Sequence, residues 1–149
     1  MATNGLAVAY HFEIGSGNNN AAAVYYADGG TARFETQLRL LSGGSSVNPC
    51  YAELTVAADA VVEAGSTVYL RSPDTTLGGR TAVNLNRGGT LRAPALLQGK
   101  NGVSSLNGDG GTLELMRSSE YATLFEGLHA VTLFEGGMGL RFPGPSGAI

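Results

Sequence analysis

Residues 6–14 read Leu-Ala-Val-Ala-Tyr-His-Phe-Glu-Ile, an alternation that a strand can use and a helix cannot. Successive side chains of a strand point to opposite faces, so Leu6, Val8, Tyr10, Phe12 and Ile14 form one face and Ala7, Ala9, His11 and Glu13 the other. A 3.6-residue period would scatter the five large residues around a helix. The run is therefore read as one long strand, with its large residues turned to the core.

The rest of the chain continues in the same style. Glycine pairs (Gly29-Gly30, Gly43-Gly44, Gly78-Gly79, Gly88-Gly89, Gly110-Gly111, Gly136-Gly137) separate short apolar runs. Glycine reaches positive φ without steric cost, so each pair marks a turn. Asp28-Gly29-Gly30 reads as a hairpin turn into Thr31–Leu41, with Ala32, Phe34, Thr36, Leu38 and Leu40 on one face and charged or amide side chains on the other. Residues 50–64 fit either a helix begun at Pro49 or a strand through Ala52, Leu54 and Val56 followed by a turn at Ala58-Asp59; the strand is preferred. Further strands are expected at Thr67–Arg71, Thr81–Asn86, Thr90–Leu97 (an edge or bulge at Pro94) and Thr112–Arg117. Lys100-Asn101-Gly102 and Asn107-Gly108-Asp109-Gly110-Gly111 are read as hairpins. Thr123-Leu124-Phe125-Glu126-Gly127 recurs as Thr132-Leu133-Phe134-Glu135-Gly136, read as two neighbouring strands, with Leu128–Phe134 a core strand.

About eight to ten short strands at regular spacing point to an all-β, antiparallel β-sandwich of jelly-roll type. One such domain is expected over residues 1–142, with 143–149 as an extended Gly/Pro-rich tail. A short parallel β-helix within Val56–Leu115, as part of a fibre or adhesin, is the structural alternative.

Chemistry is sparse. His11 and Glu13 share a strand face and His129 lies far away in sequence, whereas a catalytic zinc needs three convergent ligands. Asn48-Pro49-Cys50-Tyr51 matches no nucleophile signature, and a lone cysteine in a β-protein is commonly a small buried hydrophobe. No Gly-X-Ser-X-Gly elbow occurs. Gly15-Ser16-Gly17 lacks a following helix to hold a phosphate. These residues imply no enzyme, catalytic residue, metal or cofactor. The formal net charge is −3 and Lys100 is the single lysine, which argues against nucleic acid as a partner. No apolar run approaches the ~18 residues of a membrane-spanning helix, and the first residues do not form a signal peptide.

Only 14% of residues are charged, below the typical ~25%. A surface so poor in charge suits a chain covered by other protein. Residues 71–117 carry Arg71, Arg80, Arg87, Arg92, Lys100 and Arg117 against Asp74, Asp109 and Glu114, a local basic excess that could meet an acidic neighbour. In the last stretch, Gly136 to Ile149, Met138, Leu140, Phe142 and Ile149 are the only large apolar groups. Leu140, Phe142 and Ile149, with Arg80, Arg87 and Arg92, are accordingly the candidate interface residues.

These features together resemble the small all-β structural proteins of tailed-bacteriophage virions, the capsid decoration or cement type. They are the glycine-pair turns, the low charge, the single lysine, the Met1 start and the ending Gly144-Pro145-Ser146-Gly147-Ala148-Ile149. The resemblance implies a non-enzymatic homo-oligomer that binds and stabilises an assembled shell through a major capsid or other virion protein. It also implies synthesis in a host cytoplasm and residence in the virion. A carbohydrate- or receptor-binding β-sandwich is the other expectation, weakened by the absence of tryptophan.

Overall fold

The structure, a computed structural model, describes residues 5–15, 22–41, 50–71, 79–98, 102–116 and 125–143. Every strand among them belongs to one of three sheets. Sheet A orders β1 (Leu6–Ala9), β4 (Thr31–Phe34), β7 (Val61–Ala64), β10 (Thr90–Ala93), β13 (Gly111–Leu115) and β16 (Met138–Arg141). Sheet B orders β2 (Phe12–Ile14), β5 (Leu38–Leu40), β8 (Val68–Tyr69), β11 (Leu96–Leu97) and β14 (Phe125–Glu126). Sheet C orders β3 (Ala22–Asp28), β6 (Tyr51–Ala57), β9 (Arg80–Asn86), β12 (Val103–Asp109) and β15 (Ala130–Leu133).

Each sheet takes every third strand, and all strand pairs run parallel. The chain visits A, B and C in turn, then advances by one strand, about 4.8 Å, and repeats. This is a parallel β-solenoid. The expected antiparallel β-sandwich of jelly-roll type is wrong, and the reason lies in the turns. A glycine at positive φ serves a reversing hairpin and a solenoid corner equally well. Gly29-Gly30, read as a hairpin, carries the chain from β3 in sheet C to β4 in sheet A, two strands that do not pair. The parallel stack runs from Leu6 to Arg141, beyond the Val56–Leu115 span of the structural alternative.

The core is a set of inward rows shared by successive coils. In sheet A one row is Ala7, Ala32, Val62, Leu91, Leu113 and Leu140, and the next is Ala9, Phe34 and Ala64. In sheet C, Tyr25, Leu54, Val83, Leu106 and Val131 share a row. Leu54, Val62, Val83, Leu91 and Leu113 are fully buried. Burying one such side chain is worth roughly 1.5–3 kcal/mol, so the rows supply the main cohesion. One inward pair is polar: the Thr81 hydroxyl donates to Ser104 Oγ at 2.9 Å, which satisfies both in a buried place.

The opening run departs from expectation in an instructive way. It is two strands, β1 and β2, broken at Tyr10-His11. Ala7 and Ala9 share rows with Ala32 and Phe34, so β1 turns its small residues inward. Leu6 and Tyr10 are 69% and 73% exposed, and Val8 is exposed too. After the break the parity resets, and Phe12 and Ile14 point in. The rings explain the choice. Phe12 stacks on Phe34 at 4.7 Å and meets Tyr25 edge-on at 5.0 Å, so the large residues packed at this end of the core come from β2, β3 and β4, while β1 contributes Ala9.

The corners from sheet C to sheet A rely on the left-handed backbone region. Gly29, Gly30, Ala58, Asp59, Gly88, Gly110 and Gly137 all have positive φ there. A Cβ on Gly89 would lie 2.2 Å from the Val56 carbonyl oxygen, so position 89 admits no side chain. The preferred strand over residues 50–64 with a turn at Ala58-Asp59 agrees with β6, this corner and β7. Two other expectations fail. β14 and β15, the strands of the repeated Leu-Phe-Glu-Gly motif, lie in different sheets, and β15 is exposed along its length.

Candidate assembly site

Three regions of the solenoid carry chemistry on their surface. The first is the outer face of sheet A, where one column reads Val8, Arg33, Glu63, Arg92, Glu114, Arg141. In a parallel in-register stack, side chains of one column sit about 4.8 Å apart, so like charges would repel. Here the signs alternate. Arg33 Nη2 lies 2.8 Å from Glu63 Oε1, and Arg92 Nε lies 3.2 Å from Glu114 Oε1. The Glu63 carboxylate, hydrogen-bonded to Arg33, raises the Arg33 pKa.

The second is the outer face of sheet C, a polar column of Tyr26, Thr55, Asn84, Asn107 and Thr132. Asn107 Nδ2 donates to Asn84 Oδ1 at 2.8 Å, and Asn84 Nδ2 donates to Thr55 Oγ1 at 3.0 Å. Beside it, Tyr51 and Thr55 both donate hydroxyl hydrogen bonds to the Glu53 carboxylate. The Tyr51 bond is the largest of the effects that lower the Glu53 pKa. Burial first, then Glu53, pushes the Tyr51 hydroxyl up to about 12. Tyr51, Glu53, Thr55, Asn84 and Asn107 are thus joined in one run of hydrogen bonds.

The third region is the pair of solenoid ends, and the two differ. At the N-terminal end Phe12, Tyr25 and Phe34 plug the core. At the C-terminal end nothing among the described residues covers it. Val131 and Leu133 continue inward rows of sheet C, above Leu106 and Gly108, yet they are 55% and 60% exposed. Leu140 continues the inward row of sheet A above Leu113 and is exposed as well. A hollow of about 460 Å³ opens there, lined mainly by Leu106, Leu128, Val131, Met138 and Leu140, with Glu126 at its polar rim. Around it β14, β15 and β16 are the last strands of their sheets, each with one edge unpaired. An open core ringed by three parallel strand edges has one natural complement, another coil.

The expected interface residues scatter over these regions. Leu140 lines the open end and Phe142 follows it on the surface. Arg92 belongs to the charge column, Arg80 starts β9 on the outer face of sheet C, and Arg87 is exposed at a corner. Ile149 lies outside the described residues, as do Lys100, Arg117 and Asp74 of the basic segment. Arg71 of that segment is buried, and burial lowers its pKa. The described arginines thus do not form one basic surface.

Other expected centres are dispersed as well. His11 Nε2 meets Glu13 Oε1 at 2.9 Å in the first coil, while His129 Nδ1 meets Gln98 Oε1 at 3.1 Å near the far end. Cys50 is buried. Among the described residues no three His, Cys, Asp or Glu side chains come together as a metal site, and no helix is long and apolar enough to cross a membrane. Leu140, a candidate interface residue, lines the hollow with Val131, which the sequence does not single out. Leu128–Phe134, expected as a core strand, is exposed along β15 although Val131 and Leu133 continue inward rows.

The fold defines the class of protein, a three-sheet parallel β-solenoid whose C-terminal end is open among the described residues. No family model, curated protein or solved structure matches the chain.

Proposed function

We propose that this chain is a non-enzymatic rod segment of a fibre or adhesin, in which the solenoid is a stiff spacer joined to its neighbours through its ends. The observation that carries this reading is the last described coil, where among the described residues nothing covers the core rows and the three strand edges. A solenoid that worked alone would need that coil capped to stay soluble. The hydrogen-bonded outer columns support the same reading, since these bonds hold coil to coil. The solenoid fold supports the fibre better than the shell-decorating role that the sequence style suggested, because its stacking is one-dimensional.

The test is antibody labelling of the assemblies made by the source of this chain, viewed by electron microscopy. Gold along or at the tip of a fibre is the expected result. Labelling of an isometric shell, or of no extended structure, overturns the reading.

A further inference from the structure

We propose that the occupant of the open C-terminal end is the N-terminal coil of a second copy of this chain, so that copies stack head to tail. The inference deepens the fibre reading and rests on it.

Stacking would extend a contact already present between every pair of coils: parallel strands in register, one row above another. Continuing that register from β16 into β1 of the next copy sets Gly139 beside Leu6, Leu140 beside Ala7 and Arg141 beside Val8, because the columns of Thr112, Leu113 and Glu114 end in those residues at one end and begin in them at the other. From β15 into β3 it sets Ala130 beside Val24, Val131 beside Tyr25, Thr132 beside Tyr26 and Leu133 beside Ala27.

Four rungs match a large group to a small one, Gly139 with Leu6, Leu140 with Ala7, Ala130 with Val24 and Leu133 with Ala27, as interdigitating layers require. Val131 beside Tyr25, by contrast, sets two large groups together on the inward row of sheet C. The Arg141–Val8 contact repeats one already in the chain, where Val8 lies beside Arg33. The joint covers the inward-row residues Val131, Leu133 and Leu140 that are exposed at the C-terminal end, and sets the outward-facing Leu6, Val8, Val24 and Tyr26 beside a further strand. Because the two surfaces differ, the contact is heterologous, and because parallel stacking advances along the solenoid axis it does not close, which yields a linear filament.

One rung opposes the joint. In sheet B the column of Glu13, Arg39, Tyr69, Leu97 and Glu126 would bring Glu126 beside the next copy's Glu13. Like charges directly opposite weaken pairing, so this rung limits filament length and gives the register a signature of its own.

Sedimentation velocity of the full chain, at concentrations up to about 100 µM, tests the proposal with three variants. Wild type should form a concentration-dependent series of linear oligomers. Ala7→Asp blocks the N-terminal end and Val131→Asp the C-terminal end, so each alone should be monomeric and their mixture should give one-to-one heterodimers. Glu126→Gln, an exposed substitution that spares the fold, should tighten association about two- to fivefold. Monomeric wild type, unchanged oligomers in both blocked variants, or no tightening in Glu126→Gln overturns the head-to-tail joint. Fibre labelling as described above would still stand in that event, so the two failures are distinguishable.

Discussion

At the scale of single residues, the inward rows carry stability and the outward columns tune it. Leu91 is fully buried between Val62 and Leu113 in one row. Leu91→Ala should cost about 2–5 kcal/mol in urea unfolding, whereas Val8→Ser, on the exposed side of β1, should stay within about 0.5 kcal/mol. Equal losses would mean the inward and outward faces of sheet A are reversed. This is where the sequence misleads most: alternation in residues 6–14 shows that two faces exist, but hydrophobic size picks the wrong one for β1. Ala9 packs against the core that Phe12, Tyr25 and Phe34, from three different strands, share, while Ala7 is left exposed at the end of its row. Tyr51 offers a second residue-scale prediction. Its folded pKa is raised from 10 to about 12, so its contribution is complete below pH 10 and is lost as pH rises toward 12. Glu53 is lowered, so its contribution holds above the ordinary carboxylate range and is lost as pH falls through its folded pKa. Tyr51→Phe should therefore flatten the alkaline limb of the stability profile and weaken the acid limb, and unchanged limbs would contradict the hydrogen bond between them.

At the scale of elements, what made the strands legible was the turn residues, and what hid their pairing was the same residues. The corners into sheet A begin at positions 29, 58, 87, 110 and 134, steps of 29, 29, 23 and 24 residues. That spacing falls at the lower end of the range for solenoid repeats, yet it is masked because Ala58-Asp59 takes the left-handed corner without glycine. Glycine pairs inside other connections, such as Gly43-Gly44 and Gly78-Gly79, add a second and unrelated series. Thr31–Leu41 was assigned the right inward face, since Ala32, Phe34, Leu38 and Leu40 are all buried, although the run is divided between β4 and β5. The charge column of sheet A was invisible in the sequence, because Arg33, Glu63, Arg92 and Glu114 meet only once the coil period is known. It gives an element-scale prediction. Glu63→Lys places three cations in succession and should lower the melting temperature. The loss should shrink between 0.01 M and 1 M salt, as the Debye length falls from about 30 Å to about 3 Å. A salt-independent loss would point to disturbed packing of β7 instead.

At the scale of the whole molecule, a solenoid is held together coil by coil, so its stability is graded along one axis. Central strands such as β6 and β9 have a neighbour on both sides and fully buried inward rows. The first coil has one neighbour but closes its core with three packed rings. The last strands have one neighbour and no plug, with Val131, Leu133 and Leu140 in solvent. Opening free energy follows buried contact and hydrogen-bond protection. Amide hydrogen exchange at low protein concentration should therefore be slowest in β6 and β9, faster in β1 to β3, and fastest in β15 and β16. Concentration supplies the decisive comparison. If a second copy completes the open end, exchange in β15, β16 and β1 should slow together as protein concentration rises, while β6 and β9 stay unchanged. The slowing should vanish in Val131→Asp. Uniform exchange along the axis would contradict the graded solenoid itself, and a gradient insensitive to concentration would leave the open end without its partner copy.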